Sequence, residues 1–272
     1  MLTLPHIAIS TAGFQTGSLS DAPNPRAIID AIASTSTRAI ALDATHPGLR
    51  PRTLSRSARR DLAATLRRSE LTFVGLDLWI PPEHFTDRAH AHRAIEALTQ
   101  ACELSAELAS LVGSAGSAKT AAGGQSRPVV STMLPSELAL SDRQALDAAA
   151  QSLGAIIADH HPEPTPLETH STDLIAGLAI GIDPALILMN GQSPGKAITH
   201  AGKALASARL NDVNAMGRCA VGAPGSKLDL TSYAGALIVA GHQWVTLDVR
   251  DMPDPILAIQ RAQHAWAQAG SL

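Results

Sequence analysis

The chain has 272 residues, enough for one large hydrophobic core or two small ones. Apolar residues make up 45% and charged ones 17%, which excludes a disordered or collagen-like chain, and no run of about 18 apolar residues could span a membrane. A net charge of −3 gives no global attraction for nucleic acid, and two cysteines, Cys102 and Cys219, exclude a disulfide framework or a Cys-rich zinc site.

The N-terminal MLTLPHIAIS has neither a basic region nor a small-residue cleavage site, so a cytoplasmic, enzyme-sized single domain over 1–272 is expected. His6–Ser10 is a short apolar run that reads as a first buried strand. Asn24-Pro25 then supplies an N-cap and a proline at the first helical position. A second strand is expected over Ala39–Asp43. The basic stretch Arg50, Arg52, Arg56, Arg59, Arg60, Arg67 and Arg68 is interleaved with Leu62, Leu66 and Leu71. It reads as a solvated amphipathic helix rather than a phosphate-binding face. Phe73–Leu78 is the third strand, and the longest helix is expected over Asp87–Leu111.

Gly113–Gln125 reads as a linker. Within it, Gly113 to Thr120 misses the phosphate-loop pattern at Ala118, and Ala-Ala-Gly-Gly-Gln-Ser-Arg-Pro follows where that pattern needs a helix, so the match is rejected. The fourth strand is expected at Pro128–Thr132, and a helix over Ala145–Ile157 behind the capping-box pair Ser141 and Gln144. Strands at Thr165–Thr169, Leu178–Asp183 and Ser207–Asn211 follow, with Ser193-Pro194 starting the sixth helix. Asp229 precedes a helix over Tyr233–Ala240 that closes at Gly241. Trp244–Val249 is the eighth strand, and Asp254-Pro255 opens the last helix.

Eight buried strands alternating with helices over about 250 residues predict a single α/β domain, a (β/α)8 TIM barrel of parallel strands. A doubly wound sheet is the second choice, since Ser10-Thr11-Ala12-Gly13 is not the Gly-rich fingerprint it would carry. In a barrel the working residues sit at the C-terminal strand ends. Those ends hold Ser10, Thr11 and Phe14, then Asp43 and His46, then Asp77, Trp79, Glu83, His84 and Phe85. Later strand ends hold Glu168 and His170, Asp183, Arg209 and Asp212, and Asp248 and Arg250. Glu168, Asp183 and Asp248 are carboxylates at the wet ends of buried strands, which must be paired, hydrogen-bonded or bound to a cation. Phe14, Trp79 and Phe85 read either as an apolar wall for a sugar-like ring or as a plug. His84 and His170 are the histidines kept for chemistry. His90, His92, His160, His161, His200, His242 and His264 are expected on surface faces, and Cys102 in the core.

These strand ends resemble the xylose isomerase-like TIM-barrel superfamily, which includes sugar isomerases, sugar epimerases and AP endonucleases. Pro166-Leu-Glu168-Thr-His170 resembles the fifth-strand segment with the first metal-binding glutamate, and Gly181-Ile-Asp183 the start of the sixth-strand Asp-x-x-His segment. Ala208-Arg209-Leu-Asn-Asp212 resembles the seventh-strand segment, Arg218, Gly222 and Gly225 the loop after it, and Trp244-Val-Thr-Leu-Asp248 the last strand. The resemblance implies a sugar or sugar-phosphate isomerase or epimerase with a divalent metal (Mn, Mg or Zn) held by Glu168, Asp183 and Asp248. Glu168 and Asp248 would be the proton-transferring pair, and Trp79, His84, His170, Arg209 and Arg218 would contact a small polyhydroxy substrate. Neither a nucleic-acid partner nor a membrane is implied, and a homo-oligomer is compatible with it.

The chain departs from the pattern at three positions. Arg209 and Leu186 stand where histidine ligands belong, and Asp248 is one methylene shorter than the glutamate. A guanidinium is permanently protonated and cannot ligate a metal. Arg209 is therefore expected as a counter-charge among Glu168, Asp183 and Asp248. The same departures fit a second reading, a small-molecule-binding barrel that has lost the metal and the catalysis. Gly217-Arg218-Cys219 in place of Asp-Arg-His argues against the endonuclease branch.

Overall fold

A computed structural model describes residues 3–14, 24–113, 127–163 and 177–270. Eight parallel strands close into a barrel: β1 (His6–Ser10), β2 (Ala39–Asp43), β3 (Thr72–Asp77), β4 (Val129–Thr132), β5 (Ile156–Asp159), β6 (Leu178–Ile182), β7 (Leu205–Leu210) and, after a hairpin, β10 (Trp244–Leu247). Closure is made by β10 pairing with both β1 and β7, with Ile9 opposite Leu247 and Thr246 opposite Arg209. The hairpin β8 (Asp212–Asn214) and β9 (Gly217–Cys219) stands on the mouth between β7 and the next helix.

Helices α1 (Pro25–Ala33), α2 (Arg56–Arg68), α3 (Ala91–Val112), α4 (Leu140–Leu153), α5 (Pro184–Met189), α6 (Pro194–Ala201), α7 (Leu230–Val239) and α8 (Pro255–Ala269) cover the outside. Proline opens α1, α5, α6 and α8 behind the side-chain caps Asn24, Asp183, Ser193 and Asp254, where its missing N–H costs nothing. Outward-facing Ile, Leu and Val of the strands meet the apolar helix faces in one continuous core. No helix of the described residues is long and apolar enough to cross a membrane.

Inside the barrel the packing differs. Ala8, Ala39, Ala41 and Val74 pack against Trp244 on one side, and Val129, Ile156, Ala158, Ala179 and Ala206 on the other. Small interior residues leave volume near the top of the barrel, where Arg209 is among the largest fully buried side chains. A cavity of about 30 Å³ remains beneath it, lined in part by Asp77, Ser131, Ser207 and Thr246.

Several boundaries differ from the sequence expectation. The fifth strand is Ile156–Asp159, not Thr165–Thr169, which lies outside the described residues. Gly154, left-handed at φ 70°, ends α4 at Leu153, so Ile156 and Ile157 belong to the strand rather than to a helix. Helix α4 starts at Leu140 behind Ala139, so Ser141 lies within the first turn instead of capping it. Residues 87–90 form a turn ahead of α3, whose hydrogen-bonded run begins at Ala91. The hairpin was not foreseen, and it places Cys219 and Arg218 on a strand rather than in a loop.

Candidate functional site at the barrel mouth

Six charged side chains meet at the C-terminal ends of β3, β6, β7, β9 and β10. Arg209 reaches across the barrel and grips Asp77 with both terminal nitrogens, Nη1 to Oδ2 at 3.0 Å and Nη2 to Oδ1. Ser10 donates its hydroxyl to the same Asp77 Oδ2. Tyr233 of α7 donates its hydroxyl to the Arg209 carbonyl at 2.6 Å, fixing the strand end that carries the guanidinium. Arg209 thus pairs with Asp77 and not, as expected, with Asp183 and Asp248. The reason is register: Arg209 lies level with Thr246 in the interior, one pleat below Asp248.

The upper carboxylates have different partners. Arg218 on β9 leans over the mouth and donates to Asp183 Oδ2 at 2.9 Å and to Asp248 Oδ2 at 3.1 Å. Arg250 donates from Nε to both Asp248 oxygens at 3.0 Å and from Nη2 to Oδ2 at 2.6 Å. Asp183 Oδ1 caps α5 by accepting from the Leu186 amide. All four oxygens of Asp183 and Asp248 are therefore engaged. Burial pushes the Asp248 carboxyl up, but the guanidinia of Arg250, Arg218 and Arg209 outweigh it and hold it well below the usual carboxylate range. Arg250, buried beside Asp248, is correspondingly held protonated.

Trp79 forms one wall. The Arg250 guanidinium lies 3.8 Å from its ring centroid and that of Arg209 5.0 Å, so two cations lie over the indole. His160, directly after β5, meets the ring edge-on at 5.7 Å between centroids. It is 1% exposed and points inward over Gly181, where an added Cβ would lie 2.5 Å from the imidazole. Burial and the charges of Arg209 and Arg250 push its pKa well below the ordinary value, so it is a neutral imidazole. This corrects the surface expectation for His160, which failed because the fifth strand was placed too late in the chain. The apolar run Ala155-Ile-Ile-Ala behind Gly154 was the signal for it.

The other candidates are placed as follows. Trp79, Asp183, Arg209, Arg218 and Asp248 come together. Asp77 and Arg250 join them; both were noted as strand ends but given no role. His84 stacks on His90 at 4.7 Å, and His90 pairs with Asp87, so its ring is committed to the loop after β3. Phe85 is buried in the outer core and Phe14 packs against it, so neither forms the mouth wall. Asp212 spends Oδ1 on the amides of Val213, Lys227 and Leu228, which ties down the loop after the hairpin. His242, at the floor, is only partly exposed, and burial pushes it down to about 4. Glu168 and His170 lie outside the described residues.

A divalent cation does not fit this donor set. Asp183 and Asp248 present no free oxygen, two guanidinia already supply positive charge there, and no group of three or more His, Cys, Asp or Glu side chains among the described residues could hold a metal. Asp77, Asp183 and Asp248 are balanced by Arg209, Arg218 and Arg250.

No protein-family model matches the chain, and no curated protein matches it. Solved structures do. A xylose isomerase domain protein from Alicyclobacillus acidocaldarius subsp. acidocaldarius superposes with a TM-score of 0.62 at 13% identity, covering 97% of this chain and 99% of that one. An L-ribulose 3-epimerase gives 0.65 at 13%, covering 99% and 96%. A D-psicose 3-epimerase from Clostridium cellulolyticum H10 gives 0.64 at 11%, covering 98% and 99%. The chain thus shares the closed (β/α)8 barrel fold of solved structures that include a xylose isomerase domain protein and sugar epimerases.

Proposed function

We propose that this barrel binds a small polyhydroxy, sugar-like compound at its C-terminal mouth, and does so without a metal ion. The observation that carries the reading is the saturation of Asp183 and Asp248 by Arg218 and Arg250 beside the partly exposed indole of Trp79. An aromatic face beside fixed guanidinium donors suits a ring or chain bearing hydroxyls. The fold likeness to sugar epimerases supports the same ligand class.

Between the isomerase or epimerase reading and the binding-only barrel, Asp248 favours the second. A base that removes a proton beside a carbonyl works best with a pKa near the operating pH, whereas three arginines stabilise the Asp248 anion and weaken it as a base. Proton transfer would then fall to Glu168 alone. The test is a thermal-shift screen with ketoses, aldoses, polyols and their phosphates, followed by NMR of any binder in D2O with the protein. Ligand-dependent stabilisation without deuterium incorporation at carbon is expected. Incorporation that Glu168→Gln abolishes would instead establish isomerase-type chemistry, and no stabilisation by any compound would sink the sugar-binding reading.

A further inference from the structure

Deeper in the mouth, beneath the Arg250 guanidinium, polar atoms are buried without a protein partner. Trp79 Nε1, Arg209 Nε and the ring nitrogens of His160 are all solvent-inaccessible and make no hydrogen bond. They belong to three mutually adjacent side chains that point inward from the ends of β3, β5 and β7. Buried polar groups are nearly always satisfied, and an unpaired one costs about 1–3 kcal/mol, so several on three neighbouring side chains call for an occupant. Gly181 keeps the backbone of β6 bare so that His160 can lie against it. The neutral imidazole offers its unprotonated nitrogen as an acceptor.

From this donor and acceptor pattern we infer that Trp79, His160 and Arg209 form a subsite for one alcohol hydroxyl of the bound compound. The hydroxyl oxygen accepts from the Trp79 and Arg209 N–H groups and its proton is donated to the free His160 nitrogen. A hydroxyl satisfies both polarities, whereas a carbonyl or carboxylate oxygen would leave the imidazole nitrogen unpaired. His160 is thus a specificity residue that the family resemblance does not assign. The inference rests on the sugar-binding reading above, and its test separates the two.

The experiment is ¹⁵N NMR of the whole protein titrated with D-fructose and, separately, with D-mannitol, which carries hydroxyls but no carbonyl. The Trp79 indole signal, assigned through the backbone, and the His160 ring nitrogens are followed together with the Arg218 and Arg250 signals. Both compounds are expected to shift the Trp79 and His160 signals. His160→Phe and Trp79→Phe should each weaken binding about 3- to 10-fold, the loss of one neutral hydrogen bond, and His160→Gln should restore part of it. Binding that shifts Arg218 and Arg250 but leaves Trp79 and His160 unmoved would overturn the subsite and keep the sugar-binding reading. A response to D-fructose alone would overturn the assignment to a lone hydroxyl, because D-fructose, cyclic in water, differs from D-mannitol in its ring as well as in its masked carbonyl. No response to either compound would remove the subsite together with the reading beneath it. The wild-type shifts decide even if a variant does not fold.

Discussion

Arg209 is wholly buried, and among the described residues its charge is met by one carboxylate, that of Asp77. An ion pair taken out of water repays its desolvation only through good geometry, and breaking it from one side leaves a bare charge inside the barrel. Arg209→Leu should therefore cost about 3–5 kcal/mol in urea unfolding. The double variant Arg209→Leu/Asp77→Leu should recover much of that loss. A double variant no more stable than the single one would mean that the pair contributes through shape rather than charge. Gly181 and His160 are coupled sterically in the same way. Gly181→Ala places a methyl 2.5 Å from the imidazole and should cost about 1–3 kcal/mol, with His160→Ala relieving the clash in a double-mutant cycle. The sequence pointed to these residues unevenly. Asp183, Asp248, Trp79 and Arg218 were legible as strand-end or loop positions. The partnership of Arg209 with Asp77 was not, because 132 residues separate them and only barrel closure and register bring them level.

At the scale of elements, the strands flanked by Gly, Pro or Asp were read to within about two residues, because a buried parallel strand is a short apolar run with abrupt ends. The fifth was misplaced because Ala145–Ile157 is rich in Ala, Leu and Ile from end to end, and periodicity alone does not divide a helix from the strand that follows it. Gly154 makes that division. The β8–β9 hairpin escaped notice because Asp212–Asn214 and Gly217–Cys219 are three-residue strands with no apolar alternation. Gly75 shows how tightly two elements can be fitted. A Cβ there would run into the Val129 carbonyl of the neighbouring strand, and the residue also sits at φ 155°. Gly75→Ala should cost about 3 kcal/mol, at the upper end of overpacking, because the obstacle is backbone rather than a movable side chain. Thermal unfolding of the variant checks this, and an unchanged midpoint would mean that β3 and β4 can slide apart.

For the whole molecule, acid sensitivity follows from the groups that folding keeps from binding protons. Burial pushes His160 and His242 down, His242 to about 4, whereas in the unfolded chain both bind a proton near 6.5. Their contribution is complete above pH 6.5 and is lost as the pH falls, for His242 through about 4. Asp248, also held low, adds a loss at still lower pH, while Asp159, which burial raises against its amide bonds and Arg143, works in the opposite direction. His242→Gln should flatten the stability profile between pH 6.5 and 4 in urea titrations, and an unchanged slope would assign the limb elsewhere.

The charge balance of the mouth carries the last prediction. Three arginines against three aspartates supply permanently the compensation that a bound cation would otherwise give, and a guanidinium cannot be displaced by chelation. Purified protein should hold no stoichiometric Mn, Mg or Zn by elemental analysis, and EDTA or added Mn²⁺ should leave its melting temperature unchanged. Arg218→Ala/Arg250→Ala would strip Asp183 and Asp248 of their counter-charges and leave two buried carboxylates facing each other. That variant should be less stable than the parent and should regain stability on adding Mn²⁺. Metal dependence in the parent chain would mean that Glu168 brings a cation to the mouth despite the guanidinia, and the metal-free reading would then be lost. Stabilisation confined to the double variant would mean that arginine has taken over the electrostatic task of the ion.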